Sequence, residues 1–162
     1  MSKGFNMIGW RVGFVAGHAK LVQAYADVKD NSDSGQFMAV QLAAAHALGD
    51  PAIPAAIRTK YRRRLGKLVA ALGRVGFACA MPGGTYFLYT PAPTGAGGRT
   101  FATAEDASTY LIHEQSVCCV PWDDAGAYLR FSATYTAATE AEEDDLMRET
   151  VARLRGMELR FG

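Results

Sequence analysis

The spacing of apolar positions along the chain predicts five helices. In the longest, over about residues 54–73, one apolar stripe is formed by residues three or four positions apart: Ile57, Tyr61, Leu65, Leu68 and Leu72. Two other helices begin at capping sequences, Thr103 with Asp106 and Thr139 with Glu142, whose side chains can bind the first unpaired backbone N–H groups. The four shorter helices are predicted at residues 18–30, 36–48, 103–114 and 139–154.

Apolar runs bounded by glycine, proline and polar residues predict the strands. They lie at residues 7–16, 77–80, 85–90, 117–120 and 128–134. The sequence Pro82-Gly83-Gly84 predicts a turn joining the second and third strands as a hairpin, and a Gly/Pro-rich loop is predicted at residues 91–99. This order is typical of an α/β protein that ends in a small α+β domain. We interpret residues 1–50 as the tail of one domain, 51–75 as a connecting helix and 76–162 as the small domain.

Composition and charge narrow the classes of partner. The formal net charge of +1 gives no electrostatic reason to expect nucleic acid or an anionic membrane. We therefore interpret Arg62-Arg63-Arg64 as a solvated helix face. No apolar run has the length of a membrane span, and the N-terminus lacks the layout of a signal peptide.

The cysteines and histidines do not point to a metal site. Three cysteines, an odd number, argue against a disulfide framework and favour reduced thiols in a cytoplasmic protein. On a strand, the adjacent Cys118 and Cys119 would point to opposite faces and could not grip one metal ion together. The three histidines are too scattered to form a ligand pair at helical spacing.

The N-terminal segment carries the strongest chemical signal. It reads Ser2-Lys3-Gly4-Phe5-Asn6-Met7-Ile8-Gly9-Trp10-Arg11-Val12-Gly13. A lysine amine can form an imine, and a nearby arginine can hold a phosphate through paired hydrogen bonds. The whole run resembles the cofactor-lysine motif of the class I and II aminotransferases, which are enzymes that use pyridoxal 5′-phosphate.

This resemblance implies roles for individual residues. Lys3 would form the Schiff base with the cofactor and carry the proton, and Ser2 and Arg11 would bind the cofactor phosphate. The resemblance covers essentially all 162 residues but only the C-terminal half of a family chain. It implies the C-terminal portion of the fold type I pyridoxal-phosphate transferase fold: the tail of the large domain followed by the small domain.

A second arginine lies in a predicted strand. In Tyr128-Leu129-Arg130-Phe131-Ser132, strand alternation would place Tyr128, Arg130 and Ser132 on one face and the two apolar residues on the other. An arginine facing a cleft suits bidentate capture of a carboxylate. The family carries an arginine in a matching strand, and the resemblance implies that Arg130 binds the substrate α-carboxylate.

Two other stretches resemble the same family. Gly76-Phe77 with residues 82–88 is similar to the hairpin of its small domain, and residues 28–37 resemble aminotransferases of the LL-diaminopimelate type. The resemblance therefore implies transfer of an amino group between an amino acid and a 2-oxo acid in amino-acid biosynthesis. It also implies a homodimer.

Two alternatives stay open on the sequence. A lyase of the same fold could use the same lysine motif. A catalytically incompetent fragment or assembly module is the other, because the family residues that contact the cofactor ring lie upstream of Met1. Met1 could be a true start or a truncation, and it leaves Lys3 at a terminus expected to fray.

Overall fold

The computed structural model describes residues 1–162, which divide into two compact units, Met1–Lys60 and Tyr61–Gly162. The longest helix, α3 (Ala52–Gly73), crosses this division. The domain boundaries inferred at residues 50 and 75 stay predictions. None of the helices combines the length and the apolar character needed to cross a membrane.

The first unit is helical. It contains a short 3₁₀ helix (Ile8–Trp10), α1 (Ala19–Asp30), α2 (Met38–Gly49) and the start of α3. The predicted helices at residues 18–30 and 36–48 are confirmed to within two residues at each end. Nδ1 of His18 accepts a hydrogen bond from the Lys20 backbone N–H (3.2 Å), which satisfies a donor at the start of α1.

The strand predicted at residues 7–16 is wrong. Residues 8–10 form the 3₁₀ helix, and Asn6 (φ 56°) and Arg11 (φ 52°) on either side of it have left-handed backbone conformations. The first unit contains no strand that could pair with this segment, so an extended backbone there would gain no ladder of hydrogen bonds. Burial of Met7 in a small core with Ala44 and Ala47 holds the turn instead.

The second unit contains two antiparallel sheets. The first has the order β1 (Phe87–Pro91), β5 (Tyr128–Ser132), β4 (Val120–Trp122), and its central strand is β5. The second has the order β3 (Arg99–Thr100), β2 (Gly95–Ala96), β6 (Leu159–Arg160). The helices of this unit are the rest of α3, α4 (Ala104–Gln115) and α5 (Glu140–Arg155).

One face of the first sheet packs on the core, and its burial determines which side chains of β5 point away from the core. Leu129 and Phe131 are buried, whereas Tyr128, Arg130 and Ser132 lie on the opposite face, as the alternation predicted. The buried face joins a core with apolar residues of the three helices, including Leu72, Leu111 and Leu154. Burial of this face excludes a one-residue slip of the strand, which would put Arg130 into the core.

The predicted hairpin between residues 77–80 and 85–90 is wrong. The strand β1 pairs with β5, and residues 77–80 form no strand. Phe77 is instead buried edge-on against the rings of Phe131 (5.6 Å) and Phe161 (5.0 Å), and the Thr90 hydroxyl donates to the Ala78 carbonyl (3.1 Å). The loop predicted at residues 91–99 is also partly wrong, because it contains β2 and the start of β3.

The caps of α4 and α5 follow the sequence signals. Thr103 and Asp106 form a reciprocal capping box. The Thr139 hydroxyl accepts from the Glu142 backbone N–H (3.2 Å), while the Glu142 carboxylate accepts from the Ala138 N–H (2.7 Å). Both predicted helix starts are therefore confirmed to within one residue, because the capping contacts are local in sequence.

The interpretation of Arg62-Arg63-Arg64 as a solvated face is wrong for Arg64. Arg64 is 4% exposed and donates from Nε to the carboxylate of Glu143 (2.7 Å), which is itself 1% exposed. Arg63 also donates to both carboxylate oxygens of Glu143 (3.0 Å each), and Lys67 lies 3.3 Å from it. The remaining Arg64 donors reach backbone carbonyls at residues 135 and 137. We call Arg63, Arg64, Lys67 and Glu143 the α3–α5 ion cluster.

Acid is expected to weaken the second unit through Glu143. Hydrogen bonds from Arg63, then Arg64 and Lys67, lower the pKa of Glu143 from 4.5 to about 2 in the folded protein. The unfolded chain binds this proton more readily, so the stabilisation is complete above about pH 4.5 and is lost as the pH falls to about 2. The free energy of unfolding, measured with urea at a series of pH values across this range, should decrease as the pH falls. It should decrease less steeply with pH in Glu143→Gln. The same pH dependence of the free energy of unfolding in the wild-type protein and in Glu143→Gln would contradict this assignment.

Candidate functional site

Residues 2–11 form a compact turn rather than an extended arm. The Asn6 N–H donates to the Lys3 carbonyl (3.2 Å), and the Trp10 N–H donates to the Met7 carbonyl (3.2 Å). A positive φ is uncommon for arginine, and such backbone conformations concentrate at functional sites. The left-handed residue Arg11 therefore marks this turn as a candidate site.

Three polar side chains of the turn, those of Ser2, Lys3 and Arg11, are at least partly exposed to a ligand. Lys3 and Arg11 are exposed, and Ser2 is half-buried. Neither Lys3 nor Arg11 belongs to any of the salt bridges of the chain. Arg11 makes one hydrogen bond, from Nη1 to the Ile8 carbonyl (3.3 Å). Most of its donors thus remain open to an anion.

Arg130 lies in the second unit, at the centre of the uncovered face of the first sheet. It stands opposite Tyr89 of β1 and Val120 of β4 in the strand register. Its side chain is half-buried, and its Nε is shielded from solvent without a hydrogen-bond partner. It forms no salt bridge. A partly desolvated cation without an anion is costly, so this position is suited to an anionic ligand.

Aromatic rings surround this guanidinium. Its central carbon, Cζ, lies 4.4 Å from the ring centroid of Phe87 and 5.6 Å from that of Trp122. On the same face, Tyr89 and Tyr128 stack with their centroids 4.6 Å apart. Trp122 and Tyr89 are 40% and 45% exposed, so the rings form an open aromatic surface around one cation.

Other arginines of the unit show what a structural role looks like. Arg64 also lies over a ring, 4.7 Å from the centroid of Tyr135, but its donors bind Glu143 and two carbonyls. Arg153 binds Glu149 (2.8 Å) and the Gln115 carbonyl (3.0 Å). Arg130 differs from both because its donors reach no acceptor in the chain.

Comparison with known proteins decides the family. The sequence pattern of the family "Aminotransferase class I and II" matches residues 1–150. The chain belongs to this family.

Its relatives agree with the match. The LL-diaminopimelate aminotransferase of Methanocaldococcus jannaschii is 48% identical over 99% of this chain and 40% of its own length. The protein of the same name from Methanococcus maripaludis is 45% identical, again over 99% and 40%. The chain thus spans about two fifths of the length of the curated relatives it matches.

Solved aminotransferase structures share the fold. Apo-BacF from Bacillus subtilis superimposes with a TM-score of 0.82 at 29% identity, over 99% of this chain and 41% of that one. The aspartate aminotransferase of Rhizobium meliloti gives 0.79 at 26% identity, over 98% and 40%. The expectation that this aminotransferase chain has the C-terminal portion of that fold is confirmed.

The sequence interpretation missed the aromatic neighbours of Arg130. Phe87 and Trp122 lie on other strands, and only the strand pairing shows that their rings reach this guanidinium. The sequence interpretation also missed the α3–α5 ion cluster, although the spacing of its charged residues indicates it. Arg64 falls three positions after Tyr61 and four before Leu68, and Glu143 falls four before Met147, so opposite charges lie on the apolar faces of two helices.

Proposed function

We propose that this aminotransferase chain provides the cofactor lysine, the phosphate-binding groups and the substrate-carboxylate arginine of a pyridoxal-phosphate-dependent enzyme. The enzyme transfers an amino group between an amino acid and a 2-oxo acid. The observation that carries the proposal is Arg130, a half-buried guanidinium without an acceptor on an open aromatic surface. The family match over residues 1–150 supports the reaction class.

The substrate carboxylate is assigned to Arg130. A guanidinium presents N–H donors in a planar fork that matches the two oxygens of a carboxylate, whereas an ammonium is a point charge. Every amino acid and 2-oxo acid carries such a carboxylate next to the reacting carbon. Binding it would orient the substrate and pair the unpaired cation in one contact.

The donor set of residues 2–11 fits pyridoxal phosphate. Lys3 offers an exposed amine for the cofactor aldehyde, and Arg11 and Ser2 offer a guanidinium and a hydroxyl for its phosphate. When bound, the cofactor withdraws electrons from the substrate α-carbon. Once the substrate amine has replaced it on the cofactor, the Lys3 amine would accept the proton from the substrate α-carbon and would deliver it to the cofactor carbon that keeps the amino group.

LL-diaminopimelate is the proposed amino-acid substrate. The relatives at 48% and 45% identity are both named LL-diaminopimelate aminotransferase, and both comparisons extend over 99% of this chain. We also propose a homodimer, and the assignment of residues 1–50 to the large domain, 51–75 to a connecting helix and 76–162 to the small domain. These proposals rest on likeness to the family.

Replacing Arg130 tests the proposed function. In the cofactor-loaded protein, Arg130→Ala is expected to weaken binding of LL-diaminopimelate at least tenfold, because a hydrogen bond to a charged group contributes about 1.5–3 kcal/mol. Arg130→Lys should restore only part of this, since lysine lacks the planar fork. Calorimetric titration gives the dissociation constants.

The matched control is Arg99→Ala, because Arg99 also lies over a ring, 5.4 Å from the centroid of Tyr110, but is exposed on another sheet. The affinity of the Arg99→Ala variant for LL-diaminopimelate should equal that of the unmodified protein. Equal affinities for Arg130→Ala and Arg99→Ala would contradict the assignment of the carboxylate to Arg130.

A further inference from the structure

We propose that Phe87 and Trp122 are positioning residues that hold the Arg130 guanidinium in its carboxylate-binding orientation. We call this pair the aromatic clamp. Its consequence for substrate binding rests on the proposed function, whereas its effect on the arginine side chain does not.

Strand register places the two rings around Arg130. Phe87 of β1 pairs with Ser132, two positions beyond Arg130 on β5, and Trp122 of β4 pairs with Tyr128, two positions before it. Each ring is thus a diagonal neighbour on the same face, which is within reach of an aromatic side chain. The guanidinium is flanked from both neighbouring strands, and from opposite ends along its own strand.

Ring contacts hold the cation without occupying its donors. The face of an aromatic ring attracts a guanidinium through the ring quadrupole, and Arg stacks on such faces more readily than Lys. A carboxylate partner would have taken the same N–H groups that a substrate needs, as Glu143 does with Arg64. At Arg130 the rings provide the attraction and leave the donors for the ligand.

The clamp also reduces the entropy lost on binding. An arginine side chain has many rotamers, and fixing them at the moment of binding lowers affinity. A guanidinium that is already held between two rings has lost much of this freedom in the unliganded protein. Affinity should therefore fall when the rings are removed, even though neither ring donates a hydrogen bond to a carboxylate.

Nitrogen-15 NMR of the arginine Nε–H groups tests the clamp in the full chain. Arg130 should show restricted rotation about its Nε–Cζ bond. In Phe87→Leu/Trp122→Leu that rotation should become about tenfold faster, the change expected from losing cation–π contacts of ordinary strength. Phe101→Leu is the control, because its ring contacts Tyr110 and not Arg130. Unchanged rotation in the double variant would overturn the proposal.

Graded variants separate positioning from loss of structure. Trp122 is 40% exposed, so Trp122→Phe and Trp122→Leu should both fold, with the phenylalanine variant intermediate in Arg130 rotation. Affinity for LL-diaminopimelate should fall in the same order, while covalent loading of cofactor at Lys3 stays unchanged. Equal rotation rates in the two variants would also contradict the clamp. These variants decide the question if the double variant does not fold.

The carboxylate-binding role of Arg130 and the aromatic clamp can be contradicted separately. If LL-diaminopimelate leaves the Arg130 signals of the cofactor-loaded wild-type protein unmoved, the proposed carboxylate role fails, whereas restricted rotation that depends on the rings still supports the clamp. If the signals shift but rotation ignores Phe87 and Trp122, the carboxylate role stands and the clamp is overturned.

Discussion

Replacing Lys3 with alanine is expected to abolish covalent incorporation of pyridoxal phosphate into this chain. Lys3 is exposed and outside every salt bridge of the chain, and Arg11 of the same turn can bind the cofactor phosphate beside it. Two other lysines are poor competitors. The hydrogen bond to Asp33 raises the pKa of Lys29, and the hydrogen bond to Asp144 raises that of Lys67. A raised pKa keeps an amine protonated and unreactive.

Borohydride trapping measures this expectation without an activity assay. The chain is incubated with pyridoxal phosphate, reduced and digested, and the modified peptide is identified by mass spectrometry. The adduct should map to Lys3 in the wild-type protein and in Lys20→Ala, which removes another exposed lysine. It should be absent from Lys3→Ala. A modification spread over several lysines, or one that persists in Lys3→Ala, would reject Lys3 as the cofactor lysine.

Replacing Glu143 with glutamine is expected to destabilise the second unit by about 3–5 kcal/mol, the usual cost of breaking a buried ion pair from one side. The substitution keeps the size of the side chain but leaves Arg64, which is 4% exposed, without its anion. Two carbonyls still accept from Arg64, so the fold should survive at neutral pH. The lost stability should appear as a lower midpoint of urea unfolding, while the dependence of the free energy of unfolding on urea concentration stays unchanged.

The two tryptophans allow the second unit to be observed separately. Trp10 lies in the first unit and Trp122 in the second, so fluorescence in a Trp10→Phe background reports on the unit that contains Glu143. Glu140→Gln is the matched control, because Glu140 pairs with Arg63 (3.1 Å) but its side chain is 65% exposed. A surface pair of this kind contributes about 0.2–1 kcal/mol. Similar losses in the two variants would show that burial does not set the strength of this cluster.

The sequence predicted helices better than strand partners, and the reason is the range of the interactions. The capping contacts of Thr103 and Thr139 span three residues, so a short window of sequence contains them. The partner of β1 is β5, about forty residues later, whereas residues 77–80, shortly before β1, were a nearer candidate in the sequence. Of these residues, Phe77 packs edge-on into the aromatic core, a position that depends on Phe131 and Phe161.

The same contrast divides the candidate site. The motif at Lys3 and Arg11 is contiguous, so the sequence alone predicted the aminotransferase family, and the family match over residues 1–150 confirms it. The roles of the two residues stay predictions. Alternation along residues 128–132 also predicted the exposed face that carries Arg130. Both signals are local patterns of side-chain chemistry along one segment.

Only the tertiary structure decided which arginines bind a carboxylate of the chain and which do not. Arg63 and Glu143 are 80 residues apart in sequence, and packing of α3 against α5 brings them within hydrogen-bond distance. Arg130 receives no such carboxylate; pairing of β1 and β4 with β5 gives it two aromatic rings instead. Periodicity and capping act within a few residues and can be predicted from the sequence. The pairing of buried charges and of strands depends on which distant surfaces meet, and folding of the whole unit determines that.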